Sequence, residues 1–160
     1  MRKCWKTFRD NTLVLKCFYA FILPFFEYCS VVWMSAAQTH MNMLHRVYNS
    51  ARFLLNENIS LDHRRLVAAM CIFYKIYHNS EHPMHTRLPA PVHNVRRTRR
   101  AQRMNSRALN SARSVNSLQF NRTFLPCAVE VWNDLPQTLV DASTMELFKR
   151  KVNRHLLTLG

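Results

Sequence analysis

The chain of 160 residues contains a single glycine, Gly160, which is its last residue. An average chain of this length would contain about eleven. Without glycine the chain cannot form the Gly-rich loops that hold phosphate in P-loop and dinucleotide-binding folds. It also lacks the residue that the tight primed turns of β-hairpins require most. The composition therefore excludes those nucleotide-binding classes and argues against a β-rich fold.

Apolar residues recur at helical spacing in three segments of the first half. Residues 13–33 are predicted to form one helix, or two helices bent at Pro24, with apolar residues buried nearly all round. Residues 39–55 have the pattern of an amphipathic helix. A third helix is predicted from an N-cap at Ser60 to about His78. Three such helices with short connections predict a small helical bundle over residues 1–80.

Helical spacing returns after Phe120. Pro126 is compatible with the first turn of a helix, which Leu135 and Pro136 then end. Residues 143–146 have the pattern of a capping box that opens the last helix. The predicted fold is therefore mainly α, with a helical bundle (1–80), a basic extended arm (81–118) and two C-terminal helices (119–160).

The unbalanced charge of the second half lies in this arm and in the residues just after it. From His82 to Val129 the chain has nine arginines, no lysine and no acid, and its formal net charge is +14 overall. Such concentrated charge is unfavourable unless a polyanion offsets the repulsion, and guanidinium groups donate paired hydrogen bonds to phosphate. The pattern predicts nucleic acid as the partner. A membrane surface is the weaker alternative. The simplest alternative is a solvated linker that binds no target.

Candidate phosphate contacts come from the arm and from the basic face of the last helix, which can equally be an ordinary solvated face. They are Arg96, Arg97, Arg99, Arg100, Arg103, Arg107, Lys149, Arg150 and Arg154. Trp33 and Trp132 are candidate stacking platforms, although their apolar neighbours favour positions in the core.

The other candidate features predict no metal, no cofactor and no membrane span. His82 and His85 have no cysteine at a ligand-like interval, so a zinc site is not expected. Five widely spaced cysteines without a Cys-x-x-Cys pair suit a reducing, intracellular compartment, most of them as small core residues. The apolar run 13–33 is interrupted by Lys16, Pro24 and Glu27, which makes a bilayer span or a signal peptide the weaker interpretation.

Short blocks of the sequence, in order, resemble the C-terminal part of non-LTR retrotransposon reverse transcriptases, most closely those of jockey-like elements. The block at residues 26–33 (FEYCSVVW) is similar to the family's LEYCSPVW, and residues 132–136 (WNDLP) to its WNSLP. Further blocks of this kind are residues 44–52, 61–66 (LDHRRL), 73–76 (FYKI), 121–126 (NRTFLP) and 148–156.

The resemblance implies the thumb and the region after it, which grip a template–primer by its backbone. The family's catalytic signature, an aromatic residue followed by Ala-Asp-Asp, is absent, and no two acids are adjacent. Phosphoryl transfer requires carboxylates that hold two metal ions. The expectation is therefore a non-catalytic fragment of an RNA-directed DNA polymerase from a transposable element, located in the nucleus or cytoplasm. It would bind RNA or DNA without sequence preference. The alternatives are a functionless remnant of a decayed element and a basic secreted or membrane-associated protein.

Overall fold

The computed structural model describes residues 11–55, 59–92 and 104–159, and this part of the chain is mainly helical, as predicted. The α-helices are α1 (Asn11–Cys17), α2 (Leu23–Glu27), α3 (Gln38–Leu55), α4 (Leu61–His78), α5 (Leu118–Asn121), α6 (Phe124–Asp134), α7 (Gln137–Val140) and α8 (Met145–Leu159). A π-helical turn, Phe18–Ile22, joins α1 to α2, and 3-10 turns lie at Val32–Ser35 and His85–Arg87.

The chain divides into two compact units, Met1–Arg65 and Leu66–Gly160. The division falls inside α4, whereas the sequence predicted boundaries at residues 80 and 118. The apolar residues in the second part of α4 belong to the core of the second unit rather than to a bundle that ends near residue 80.

The π-helical turn ends two residues before Pro24, which has no backbone N–H to donate to the preceding turn. The N–H of Leu23 donates instead to the carbonyl of Phe18, five residues back. After α2 the chain turns at Cys29, whose φ of 49° is in the left-handed region that glycine would occupy without steric cost. The prediction that apolar residues of the segment 13–33 are buried nearly all round was wrong, because Phe21 and Phe25 are 69% and 81% exposed.

The first unit has a small apolar core to which two neighbouring arginines are attached. Its buried members are Phe18, Leu23, Tyr48, Ala51 and Leu61. The Nε and Nη2 atoms of Arg65 donate to the carbonyl of Phe26 at 3.3 and 3.1 Å. Arg64 lies 3.4 Å from the Glu27 carboxylate. Two of the blocks noted in the sequence, residues 26–33 and 61–66, therefore hold each other in place.

The second unit packs around Trp132, which is completely buried, so the core interpretation of this residue is confirmed. Phe73 and Phe148 pack beside it with ring centroids 5.3 and 6.0 Å away. Tyr74 stacks on Phe148 and donates its hydroxyl to the carbonyl of Ala142 at 2.6 Å. Trp33 differs from Trp132, because 41% of it is exposed.

The sequence predicts an extended arm over residues 81–118, but the C-terminal part of that arm is anchored in this core. Asn105, Ala108 and Leu109 are all buried. Asn105 Nδ2 donates to the carbonyls of Trp132 (2.7 Å) and Leu135 (3.1 Å), and so satisfies acceptors at the end of α6. An antiparallel bridge pairs Leu109 with Pro91. Asparagine side chains provide this anchoring, although asparagine-rich sequence is typical of a loop.

The starts of α4 and α8 agree with prediction to within a residue. Ser60 Oγ accepts a hydrogen bond from His63 N at 3.1 Å, which confirms the N-cap of α4. For α8 the capping side chain is Thr144, whose Oγ1 accepts from Leu147 N at 3.2 Å, rather than the first residue of the predicted box.

The cysteines are less buried than expected. Cys17, Cys29, Cys71 and Cys127 are free thiols, and of these four only Cys71 is buried. Cys17 and Cys29 are exposed, so the prediction that most cysteines are core residues was wrong for the part of the chain that is described.

Candidate nucleic-acid interface

A groove of about 490 Å³ lies between the short helix α7 and the last helix α8. Three cationic side chains and one histidine of α8 line it, together with hydroxyl and leucine side chains. The lining residues are Thr138, Leu139, Leu147, Arg150, Lys151, Arg154, His155 and Thr158. No acid is among these described lining residues, so the lining of the groove is positively charged and partly apolar.

The amphipathic pattern of α8 places the cations there. Phe148 and Val152 are completely buried in the core of the second unit. Arg150 and Arg154, one helical turn apart, are exposed. Both arginines were predicted as phosphate contacts, and the structure brings them to one groove.

Lys151 and His155 also line the groove, although neither is among the phosphate contacts that the sequence predicts. Lys151 Nζ donates to the carbonyl of Thr138 at 2.9 Å, which ties α8 to α7. Because α7 has only four residues, this contact helps to set the position of the opposite wall. The local sequence provides no signal for it, since the partner is a backbone carbonyl thirteen residues earlier.

Lys149, the remaining predicted cation of α8, is not in the groove lining. It lies near Cys71 instead, where burial raises the pKa of the thiol and the charges of Lys149 and Lys75 partly oppose that rise. The predicted basic face is therefore divided between two sides of α8.

Two arginines of the arm that the structure describes are engaged with acids of the C-terminal segment. Arg107 Nε lies 3.1 Å from Asp141 Oδ1, and Asp141 Oδ2 accepts from Gln137 Nε2 at 2.6 Å. Arg113 pairs with Glu130. Arg107 was predicted as a phosphate contact, but the structure places it in an ion pair beside α7. The predicted contacts Arg96, Arg97, Arg99, Arg100 and Arg103 lie outside the described residues.

Other candidate chemistry is not assembled within residues 11–55, 59–92 and 104–159. In that part of the chain no cluster of three or more His, Cys, Asp or Glu side chains could hold a metal ion. His82 Nδ1 accepts from Met84 N at 3.1 Å, and His85 Nδ1 lies 2.8 Å from the carbonyl of Ile76, so both histidines make local backbone contacts. None of the described helices combines the length and apolarity needed to cross a bilayer.

Comparison with known proteins adds no family: no protein-family model, curated protein or solved structure matches the chain.

Proposed function

We propose that this chain binds the phosphate backbone of nucleic acid without sequence preference, and that the groove between α7 and α8 is part of its binding surface. The observation that carries this proposal is the pair of exposed guanidinium groups, Arg150 and Arg154, on one groove whose described lining contains no acid. Backbone contacts of this kind fix the position of a nucleic acid but carry no sequence information.

The whole charge pattern supports the same partner. The chain has 23 lysines and arginines against nine acids. Asp141 and Glu130, two of those acids, neutralise Arg107 and Arg113 within the second unit, while Arg150 and Arg154 remain exposed. A polyanion compensates such an excess of positive charge, and the release of its counterions supplies much of the binding free energy.

The sequence blocks favour a more specific origin. We propose that the chain corresponds to the thumb and following region of a non-LTR reverse transcriptase, and that it has no polymerase activity of its own. Contacts between residues 26–33 and 61–66, and between residues 132–136 and the end of the arm, are compatible with this proposal, since blocks that contact each other constrain each other's sequence.

Salt dependence tests the groove directly. The variant Arg150→Gln/Arg154→Gln should bind a fluorescent duplex of about 20 base pairs more weakly. Its slope of log K against log salt should be shallower by roughly 0.9 for each phosphate contact removed, or roughly 0.7 on a single strand. Lys16→Gln/Arg46→Gln is the matched control, because it removes the same charge from exposed positions on α1 and α3. An unchanged slope in the groove variant, with its helical circular dichroism intact, would contradict the assignment.

A further inference from the structure

The first helical segment of the first unit, from α1 to α2, is apolar on two faces. One face, which includes Phe18 and Leu23, is buried in the core of that unit. The other face carries large apolar side chains that are open to solvent, since Phe21 is 69%, Phe25 81% and Tyr28 74% exposed. A surface helix ordinarily has polar residues on its outer face, and a helix that is apolar all round is ordinarily covered on all sides. The second face of this segment is therefore left uncovered in a single copy of the chain.

The exposed side chains form one row, which we call the apolar ridge. Residues four apart in an ideal α-helix advance by about 40° at each step, so a long row of them winds away from one side. The π-helical turn Phe18–Ile22 has more residues in each turn, and it offsets that winding in the middle of the row. The ridge is about 22 Å long at the rise of an α-helix. It consists of Leu13, Cys17, Phe21, Phe25 and Tyr28, all of which are exposed.

The segment that carries the ridge has no net charge. Residues 11–33 contain one base, Lys16, and one acid, Glu27, and the carboxylate of Glu27 lies 3.4 Å from Arg64. Helices that bind an anionic bilayer surface have lysines and arginines beside their apolar face, and contacts to phosphate need the same cations. The net charge of +14 is thus carried elsewhere in the chain. The chemistry of the ridge suits a second uncharged, apolar surface.

We propose that the apolar ridge is a homodimer interface, in which the ridge of one copy packs on the ridge of a second copy. Rows of side chains four residues apart interdigitate when two helices cross at about −50°, and a two-fold axis makes such a row complementary to itself. At about 200 Å² for each aromatic side chain, the three rings expose roughly 450 Å² per copy. With Leu13 and Cys17 added, two ridges bury on the order of 1,100 Å², close to the roughly 1,200 Å² at which stable interfaces begin. The area is sufficient for a reversible dimer in the micromolar range, and the groove of the second unit is not needed for it.

Sedimentation equilibrium of the full chain tests the dimer. The protein is freed of nucleic acid by nuclease and measured in about 0.5 M NaCl, where copies joined by a bridging polyanion separate and an apolar contact persists. The mass should rise from 19.0 kDa towards twice that value as the concentration rises through the micromolar range. Phe25→Arg brings an unpaired charge from each copy into the contact, and it should weaken self-association at least about 30-fold. Leu118→Arg is the matched control and should associate like the wild-type chain, because Leu118 is also 81% exposed but lies in the second unit.

A second variant keeps the test open if the new arginine disturbs folding. Phe21→Ser/Phe25→Ser adds no charge, changes only exposed side chains and should also be monomeric, with its helical circular dichroism intact. A wild-type chain that stays at 19.0 kDa throughout the concentration series would overturn the dimer. Self-association that persists in both ridge variants, or that Leu118→Arg weakens as much as Phe25→Arg does, would overturn the assignment to the ridge. A monomer that binds vesicles of anionic lipid, and loses that binding in Phe21→Ser/Phe25→Ser, would overturn it in favour of a membrane surface.

Discussion

Asn133 holds the backbone of Leu109 with two hydrogen bonds across 24 residues of sequence. Leu109 N donates to Asn133 Oδ1 at 2.9 Å, and Asn133 Nδ2 donates to the carbonyl of Leu109 at 2.8 Å. The two residues are 7% and 3% exposed, so water does not substitute for either bond. One asparagine on α6 thus satisfies both backbone groups of a residue in the arm, in the way that a neighbouring strand would.

Replacing Asn133 should therefore destabilise the second unit. Asn133→Ala leaves a buried donor and a buried acceptor of Leu109 without partners, which we expect to lower the free energy of unfolding by about 2–4 kcal/mol. Urea denaturation followed by tryptophan fluorescence measures the change. Asn116→Ala, at an exposed position, should cost no more than about 0.5 kcal/mol. Equal stability of the two variants would mean that the pair does not hold the arm.

Arg65 should be as important to the first unit. Only 9% of it is exposed, and burial lowers the pKa of its guanidinium while the neighbouring Asp62 opposes that change. Arg65→Ala removes both hydrogen bonds to the Phe26 carbonyl, and we expect a decrease of about 2 kcal/mol in the free energy of unfolding. Arg65→Lys keeps the charge but not the fork, so it should recover part of that stability. Exposed Arg46→Ala is the control. Hydrogen exchange measures the effect. In Arg65→Ala, residues 11–55 should lose protection before the second unit does.

His78 should make stability depend on pH in the acid range. Burial against neighbouring side chains, including the ring of Tyr74 at 4.2 Å, lowers its pKa, and the charge of Arg107 lowers it further. The unfolded chain then binds a proton more readily than the folded chain. Stability is therefore full above about pH 6.5 and decreases as the pH falls through the folded-state value. His78→Gln should reduce this decrease, whereas His40→Gln should leave it unchanged, in urea titrations between pH 8 and 5. The effect is small, because much of His78 is exposed.

Arginines of the arm should add phosphate contacts to those of the groove. Replacing Arg96, Arg97, Arg99 and Arg100 by Gln should flatten the salt slope by roughly 0.7 per contact on single strands and roughly 0.9 on duplex. Affinity should fall equally for unrelated sequences. The double variant Arg107→Gln/Arg113→Gln should be compared with this quadruple variant, since both of its side chains are already paired with acids. Its smaller effect on the slope would separate phosphate contacts from internal ion pairs. A solvated linker would instead leave the slope of the quadruple variant unchanged.

Polymerase assays test the expected lack of catalysis. The sequence contains no adjacent pair of acids, and two-metal phosphoryl transfer requires carboxylates to hold its ions. We expect no incorporation of nucleotides on a primed RNA template with Mg²⁺ or Mn²⁺. Template-dependent incorporation by protein freed of contaminating polymerase, at a rate that follows the amount of this chain, would show the expectation to be wrong.

Helical periodicity, together with the cap and proline signals, located α3, α4, α6 and α8 to within a residue or two. The hydrogen bonds of a helix join residues four apart, and a buried stripe repeats every three or four positions, so both leave a local pattern. The cations Arg150 and Arg154 were found in the same way, because they lie off the stripe that contains Phe148 and Val152. The excess of arginine, similarly, is a property of composition.

Tertiary structure alone decided which of these residues meet. Asn105 and Asn133 look like turn residues in sequence, yet both are buried because their amides bond to backbone groups more than twenty residues away. Arg107 differs from Arg150 and Arg154 because it forms an ion pair with Asp141. His155 belongs to the groove only because α7 forms the opposite wall. Phe25 has an apolar sequence context but is exposed, since one face of its helix packs on the core of the first unit. Contacts between distant residues depend on how elements pack, and packing leaves no periodic signal along the chain.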